Sequence, residues 1–200
     1  MGPRPSDPSY AAAAGKADLR RRCRAARRDL PAAARGHAQG AIHALLDGLG
    51  ELAGEGPVLA YAAAGHEVDL DPWLRALLAR GRPLRLPRVA GDELEVVAVH
   101  DLDRDLAPGW RGLREPAGGR DAGLADLAAV VVPGVAFDAG GGRLGQGGGH
   151  VDRLLARVDR GRTAVVGVCF AVQLVAAVPR EDHDAPMDVV VTEQGAYRRG

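Results

Sequence analysis

Two apolar runs in the second half of the chain restrict the fold more than any other feature. The segments "LAAVVVPG" (127–134) and "TAVVGVCF" (163–170) carry apolar residues at consecutive positions rather than at alternate ones. A strand has this pattern when both faces of its sheet are covered, which is typical of parallel strands flanked by helices. The sequence therefore predicts a central sheet with helices on both sides.

Alternating strand and helix patterns extend this prediction across the chain. Further strands are predicted at 57–61, 82–89, 93–100 and 188–193, and helices at 16–30, 32–53, 71–81 and 150–160. Such alternation is typical of the α/β class. The expected fold is α/β, a three-layer sandwich around a mostly parallel sheet, with an amino-terminal helical segment. Residues 1–15 are predicted to be a disordered leader, and residues 16–200 a single domain.

Composition limits the classes of partner and compartment. The 200 residues carry a formal net charge of zero at pH 7, which argues against broad electrostatic capture of nucleic acid. No run reaches membrane-spanning length, and "MGPRPSDPSYAAAAG" lacks the basic start and apolar core of a signal peptide. Cys23 and Cys169 lie far apart without metal-site spacing, which suits a reducing compartment. We expect a cytoplasmic protein that binds neither nucleic acid nor a membrane.

The segment "GGGRLGQGGG" (140–149) has glycine at seven of its ten positions. Between a buried strand and a helix start, such a loop is the usual cradle for phosphate, because consecutive backbone N–H groups converge on the anion. Arg143 would add a planar donor for phosphate oxygens. Asp152, in the first helical turn, is placed either to complement the helix dipole or to hold magnesium.

Other interpretations of this segment are weaker. Gly140, Gly142 and Gly145 satisfy the G-x-G-x-x-G pattern, but a match carries little weight in a run so rich in glycine. A Walker loop is excluded because no Gly-Lys pair is followed by Ser or Thr. A plain flexible linker is the remaining alternative, although the flanking strand and helix favour an ordered loop.

Lys16 is the only lysine among 26 basic residues. It begins the predicted helix "KADLRRRCRAARRDL", where Arg20 follows four residues later on the same face. Because arginine is used at every other basic position, the single lysine indicates a position that requires a compact ammonium. The alternative is that this lysine is there by chance. Two other interpretations of this basic helix are a solvent-exposed face and a nucleic-acid-binding patch. The nucleic-acid patch is disfavoured because the helix has no aromatic residue that could stack on bases.

Five blocks, in order along the chain, resemble the 5-formyltetrahydrofolate cyclo-ligase family, whose members are also called 5,10-methenyltetrahydrofolate synthetases. They are "KADLR", "GHEVDLDPWLRALLARGRPLRLPRV", "GLREP", "VVVPGVAFDAGGGRLGQGGGHVDRLLA" and "VPREDHDAPMDVVVTE". The resemblance extends over nearly the whole chain after the leader. It implies an ATP- and magnesium-dependent ligase that cyclises 5-formyltetrahydrofolate to 5,10-methenyltetrahydrofolate with release of ADP and phosphate.

The resemblance also implies which residues hold ATP. Lys16 and Arg20 would bind its phosphates, Arg20 would also lie near the formyl group, and Arg143 would complete the catalytic set. The implied ATP-binding residues are Lys16, Arg20, Arg143, Leu144, Gly145, Gln146, Gly147, Gly148, Gly149, His150 and Val151.

Folate and magnesium are assigned in the same way. Glu67 would hydrogen-bond the pterin ring, and Arg20, Glu67 and His150 form the implied folate site. Asp152 and Asp184 would hold Mg²⁺. From its position alone, Asp184 would be interpreted as a turn residue before Pro186. His183 is interpreted as a surface turn residue without a role.

One departure from the family pattern concerns His150 and Val151, which stand where the family usually has two tyrosines. The change affects expected folate contacts more than ATP contacts. This departure supports a second hypothesis, that the protein is a non-catalytic relative that binds nucleotide or folate without turnover. The expected partners are reduced folate and ATP, and the expected state is a monomer or weak homodimer.

Overall fold

The computed structural model describes residues 8–181 and 184–200. Its helices are α1 (Pro8–Arg28), α2 (Ala32–Asp47), α3 (Asp71–Ala79) and α4 (His150–Ala156). Its strands are β1 (Val58–Leu59), β2 (Leu84–Ala90), β3 (Glu93–Val99), β4 (Leu106–Pro108), β5 (Arg114–Pro116), β6 (Ala129–Pro133), β7 (Ala136–Asp138), β8 (Arg143–Leu144), β9 (Ala164–Val168), β10 (Leu174–Val175), β11 (Val189–Thr192) and β12 (Gly195–Arg198).

A seven-stranded sheet with the order β12-β11-β9-β6-β1-β2-β3 forms the centre of the molecule. The five inner strands pair in parallel, and the edge strands β3 and β12 pair antiparallel to their neighbours. Two small sheets, β10-β7-β8 and β4-β5, lie outside it. The mostly parallel sheet predicted from the buried runs is confirmed.

The central sheet has a separate apolar core on each face. In β6, Val131 belongs to the core formed with α2 and α3, whereas Val130 and Val132 belong to the core formed with α4. Successive side chains of a strand point to opposite faces, so a run of valines fills both cores. Helices therefore cover both faces, and the predicted α/β three-layer sandwich is confirmed.

Helix α1 packs beyond the sheet, on the segments that follow β6 and β9. Leu19 and Cys23 are buried four residues apart and contact Ala136 and Leu144 in a third apolar cluster. In parallel α/β sheets, ligands bind outside the carboxyl ends of the strands. This packing therefore brings the basic residues of α1 to the edge of the sheet where a ligand is expected.

The element boundaries differ from the predictions at several places. α1 begins at Pro8, so residues 8–15 of the predicted leader are helical, in keeping with the high helix propensity of the alanines at 11–14. Residues 1–7 lie outside the described residues. α2 ends at Asp47 and α4 ends at Ala156, both earlier than predicted. The strand predicted at 188–193 is not the last one, because β12 follows it.

No helix in the described ranges combines the length and apolar character that crossing a bilayer requires.

Candidate active site

The glycine-rich segment begins as a hairpin anchored by Asp138. The Asp138 carboxylate accepts hydrogen bonds from the backbone N–H groups of Gly142 and Val178, both at 2.8 Å, and from Arg180 at 2.9 Å. Burial raises the pKa of Asp138, but these hydrogen bonds and the Arg180 charge outweigh that effect and lower it overall. Residues 140–144 therefore form an ordered turn and not a plain flexible linker.

Gly141→Ala should destabilise this turn. Gly141 has a φ of 82°, and a Cβ there would lie 2.3 Å from the backbone oxygen of Met187. Because no side-chain rotation relieves either problem, we expect the free energy of unfolding to fall by about 3 kcal/mol in urea denaturation. Gly40→Ala in α2, where a Cβ meets nothing within 4 Å, is the control and should be neutral or stabilising. A loss below about 1 kcal/mol for Gly141→Ala would contradict the tight turn.

Residues 145–149 form the exposed half of the segment. Gly147 and Gly149 have φ angles of 108° and 70°, which residues with a side chain rarely adopt. Arg153 donates to the carbonyl oxygens of Gly148 at 3.1 Å and Asp92 at 2.6 Å, which fixes the end of the loop. Residues 146–148 remain exposed, as phosphate binding to backbone N–H groups requires.

Arg143 lies beneath this loop rather than on its surface. Its side chain is 3% exposed, and its guanidinium donates to the carboxylate of Asp152, which is 27% exposed. Within the described part of the chain, the buried Nε of Arg143 has no hydrogen-bond partner. Arg143 therefore orients Asp152 and places a positive charge under the loop.

Lys16 joins α1 to the carboxy-terminal block. Its Nζ lies 2.8 Å from Glu181 Oε1 and 3.4 Å from Asp184 Oδ2, and its side chain is only 12% exposed. Burial lowers the pKa of Lys16, but the hydrogen bond to Glu181 and the charge of Asp184 outweigh it and raise that pKa. The ammonium is therefore held in its charged form. His183 lies outside the described residues.

The next two basic residues on the same face of α1 contact the glycine loop. Arg20 Nε donates to the carbonyl oxygen of Gly145 at 2.9 Å. Arg24 donates to Gln146 Oε1 from Nε at 3.1 Å and from Nη2 at 2.5 Å. The four-residue spacing that places Lys16 and Arg20 on one helix face also places Arg24 there, although no role for Arg24 was predicted from the sequence.

Glu67 lies in the loop between β1 and α3, close to α1. Its Oε2 accepts the backbone N–H of Ala64 at 3.1 Å, and its Oε1 lies 3.7 Å from Nη1 of Arg27. Both charged side chains are 10% exposed. Burial raises the pKa of Glu67 overall, although the hydrogen bond from Ala64 and the charge of Arg27 act to lower it. The structure thus places Glu67 against α1, the helix whose Arg20 and Arg24 contact the glycine loop.

An aromatic pair marks the start of α4. The ring of His150 lies 5.8 Å from that of Trp110, centroid to centroid, at 59°. Trp110 is 42% exposed, and Cζ of Arg111 lies 4.3 Å from the centroid of its ring. Val151 packs against the apolar core that includes α4. Trp110 could not be assigned to the site from the sequence, because its approach to His150 depends on tertiary structure.

The predicted metal ligands are present but paired with basic side chains, Asp152 with Arg143 and Asp184 with Lys16. Among the described residues, no group of three or more His, Cys, Asp or Glu side chains could hold a metal ion. Two clefts of about 460 and 440 Å³ lie elsewhere, one beside α2 and α3 and the other beside β3 and β5. The predicted site residues lie instead along α1, on the glycine loop and at Glu67 beside Arg27.

Known proteins resemble this chain over most of its length. The profile of the 5-formyltetrahydrofolate cyclo-ligase family matches residues 12–193. The 5-formyltetrahydrofolate cyclo-ligase of Mycolicibacterium smegmatis is 31% identical over 185 residues, which cover 88% of this chain and 93% of the relative. The enzyme of that name from Escherichia coli (strain K12) is 32% identical over 140 residues, covering 68% and 76%. The NMR structure of Aquifex aeolicus 5,10-methenyltetrahydrofolate synthetase has a TM-score of 0.80 and 34% identity, with 92% of each chain covered.

Proposed function

Since the chain belongs to the 5-formyltetrahydrofolate cyclo-ligase family, we propose that it uses ATP to convert 5-formyltetrahydrofolate into 5,10-methenyltetrahydrofolate. The formyl oxygen attacks the γ-phosphorus of ATP, and ADP leaves. The neighbouring amine nitrogen then attacks the carbon that carries the phosphorylated oxygen and loses its proton, and the C–O bond breaks to release phosphate as the ring closes. One observation carries the proposal: Arg20 and Arg24 of α1 contact the glycine loop at 145–149, and Arg27 of the same helix pairs with Glu67.

Phosphoryl transfer of this kind depends on positioning and charge neutralisation more than on acid–base groups. The ATP phosphates would bind the exposed backbone at 146–148, with Lys16 and Arg20 on one side. Arg143 would supply positive charge from below, where its unpartnered Nε leaves part of the guanidinium unsatisfied within the described structure. Lys16 would exchange its contacts with Glu181 and Asp184 for phosphate oxygens.

Asp152 and Asp184 are the carboxylates that would hold Mg²⁺. Both side chains are partly exposed, at 27% and 18%, and both lie beside residues assigned to phosphate. Mg²⁺ usually takes one or two protein carboxylates and completes its shell with phosphate oxygens and water, so a cluster of three protein ligands is not needed. When bound, the ion would neutralise charge on the ATP phosphates.

Folate would bind beside the loop, with Glu67 accepting hydrogen bonds from the polar edge of the pterin ring. His150 and Trp110 offer the aromatic surface for stacking that the missing tyrosines would otherwise supply. The non-catalytic alternative rests on the same His150-Val151 departure. The retained Lys16, Arg20, Asp152 and Asp184 favour catalysis.

The proposal is tested by mixing the protein with 5-formyltetrahydrofolate, ATP and Mg²⁺ and following the absorbance of the methenyl product. We expect product to form only when ATP is present, with one ADP for each molecule of product. Binding of both substrates without product would instead support the non-catalytic alternative.

Substitutions in the exposed loop should weaken ATP binding without unfolding the protein. Gly147→Val forces a side chain into a φ of 108°, and Gly148→Val places a Cβ 2.9 Å from Nδ1 of His150. We expect the Kd for ATP to rise at least about tenfold in calorimetric titration, because the loop can no longer present its backbone to phosphate. Gly118→Val, at an exposed position where a Cβ meets nothing within 4 Å, is the control. Unchanged ATP affinity in both loop variants would remove the loop from the ATP site.

A further inference from the structure

A buried ion pair joins α1 to the loop that carries Glu67. Nη1 of Arg27 lies 3.7 Å from Oε1 of Glu67, and each of the two side chains is 10% exposed. Within the described ranges, Glu67 is the only ion-pair partner of Arg27, and the buried Nε of Arg27 has no hydrogen-bond partner. The charge of this guanidinium therefore acts on one carboxylate.

Arg35 of α2 holds the helix end and the Glu67 loop together. Its Nη2 donates to three carbonyl oxygens at the end of α1 and just beyond it, those of Arg27, Arg28 and Leu30, at 3.0, 3.2 and 3.3 Å. Its Nη1 donates to the carbonyl oxygen of His66, the residue before Glu67, at 3.2 Å. Because one planar guanidinium makes all of these contacts, Arg27 and Glu67 face each other in a defined geometry.

The stability of the fold does not explain this pair. Both charges lose hydration, and at 3.7 Å no close hydrogen bond reinforces their attraction, so the cost of desolvation is poorly compensated. Burial raises the pKa of Glu67, whereas the N–H of Ala64 and the charge of Arg27 lower it. Removal of Arg27 would therefore move Glu67 further toward its protonated form.

A protonated Glu67 would be a poor partner for the pterin ring. An ionised carboxylate accepts hydrogen bonds at both oxygens, whereas protonation turns one of them into a donor. Ala64 N–H already donates to Oε2 at 3.1 Å, and the pterin edge would present further N–H donors. The charged form of Glu67 is thus the form that binds folate.

We propose that Arg27 is a positioning residue of the folate site, whose buried charge keeps the Glu67 carboxylate ionised and ready to accept hydrogen bonds from the pterin ring. Arg27 acts through Glu67 and does not touch substrate. Lys16, Arg20 and Arg27 follow the i, i+4, i+11 spacing of one helix face, so α1 serves ATP at its start and folate at its end. This inference rests on the proposed function, and it concerns folate affinity rather than the chemical step.

The pH dependence of the Kd for 5-formyltetrahydrofolate measures this role. In Arg27→Met, Glu67 takes up its proton at a higher pH, so affinity is lost earlier as the pH falls. We expect the midpoint of this loss to rise by at least about one pH unit, as removal of a neighbouring opposite charge should produce. At alkaline pH, where Glu67 is charged in both proteins, the two Kd values should agree within about twofold. A merely structural role of Arg27 would weaken folate binding at every pH.

Two further variants separate the charge of Arg27 from its bulk. Arg27→Lys keeps the charge and should reverse at least about half of the midpoint shift. Arg28→Met is the matched control, since this α1 side chain is 62% exposed and pairs with Asp29, and it should leave the midpoint unchanged. If Arg27→Met fails to fold, Arg27→Gln removes the charge with a polar head and is held to the same expected shift.

The groups around the pair do not produce such a shift. Arg24 and Arg35 lie near Arg27, and arginine keeps its charge throughout this range. Burial raises the pKa of Tyr61 well above its ordinary value, so this phenol stays neutral. His66 is exposed beside Glu67, and histidine titrates near neutral pH, so His66→Gln is included and should keep the midpoint of the unchanged protein.

A double variant completes the test. In a Glu67→Gln background, Arg27→Met should not change the Kd for 5-formyltetrahydrofolate further, because both changes act through one carboxylate. If the unchanged protein forms methenyl product but Arg27→Met leaves the midpoint in place, or weakens binding equally at every pH, the role of Arg27 is wrong and the proposed function stands. If the unchanged protein forms no methenyl product and binds no 5-formyltetrahydrofolate, the proposed function is wrong and the role of Arg27 falls with it.

Discussion

Lys16→Arg is expected to lower kcat/KM for ATP by about a hundredfold, the order of loss seen when one donor to a developing charge is removed. The Lys16 side chain is 12% exposed and its ammonium is already held 2.8 Å from Glu181 Oε1, so little room exists for a longer and planar head. A guanidinium keeps the charge but cannot place it at the same point against a phosphate. Steady-state kinetics at varied ATP measure the effect, with thermal melting to show that the fold is intact.

The control for this variant is Arg22→Lys, the reverse exchange on an exposed part of the same helix. Arg22 is 67% exposed and pairs with Asp18, away from the glycine loop contacts of α1. We expect Arg22→Lys to change kcat/KM less than about twofold, because exposed ion pairs contribute little. If Lys16→Arg retains more than half of the activity, the solitary lysine is an accident of composition.

Glu67→Gln is expected to raise the KM for 5-formyltetrahydrofolate about thirtyfold, which corresponds to roughly 2 kcal/mol for hydrogen bonds to a charged acceptor. The variant keeps the shape of the side chain but replaces one acceptor oxygen with a donor. The Kd for ATP alone should change little, because Glu67 lies outside the proposed phosphate site. Glu55→Gln, at an exposed position beside the cleft of α2 and α3, is the control and should leave both constants unchanged.

The pH dependence of folate binding gives a second measure of Glu67. Because burial raises the pKa of this carboxyl group, it takes up a proton at a higher pH than an ordinary glutamate does. The charged form accepts the pterin hydrogen bonds, so affinity is present above the raised pKa and is lost as the pH falls through it. Glu67→Gln should remove this acidic limb. An identical acidic limb in the variant would show that another group titrates.

The central sheet could be predicted because its strands carry their own signal. The valines of β6, β9 and β11 are buried on both faces, and that requirement is visible as an uninterrupted apolar run. β8 and β10 have two residues each and β7 has three, too few to show a periodicity. They form because the chain folds back beside α1, which only the tertiary structure determines.

The site was predictable to a different extent in each part. Lys16 and Arg20 are one helical turn apart, so their shared face follows from spacing alone, and the family resemblance supplied Glu67. Contacts between distant segments were not predictable. They include the burial of Arg143 under the loop, the pairing of Glu67 with Arg27, and the approach of Trp110 to His150.

Transfer of the formyl oxygen to phosphate is the most direct test of the proposed reaction. The substrate is 5-formyltetrahydrofolate labelled with ¹⁸O in the formyl group, and the released phosphate is analysed by mass spectrometry. If the formyl oxygen attacks the γ-phosphorus of ATP, one ¹⁸O atom appears in each phosphate released as methenyl product accumulates. Unlabelled phosphate, or methenyl product formed without ATP consumption, would contradict the mechanism and the roles assigned to the loop and to Lys16.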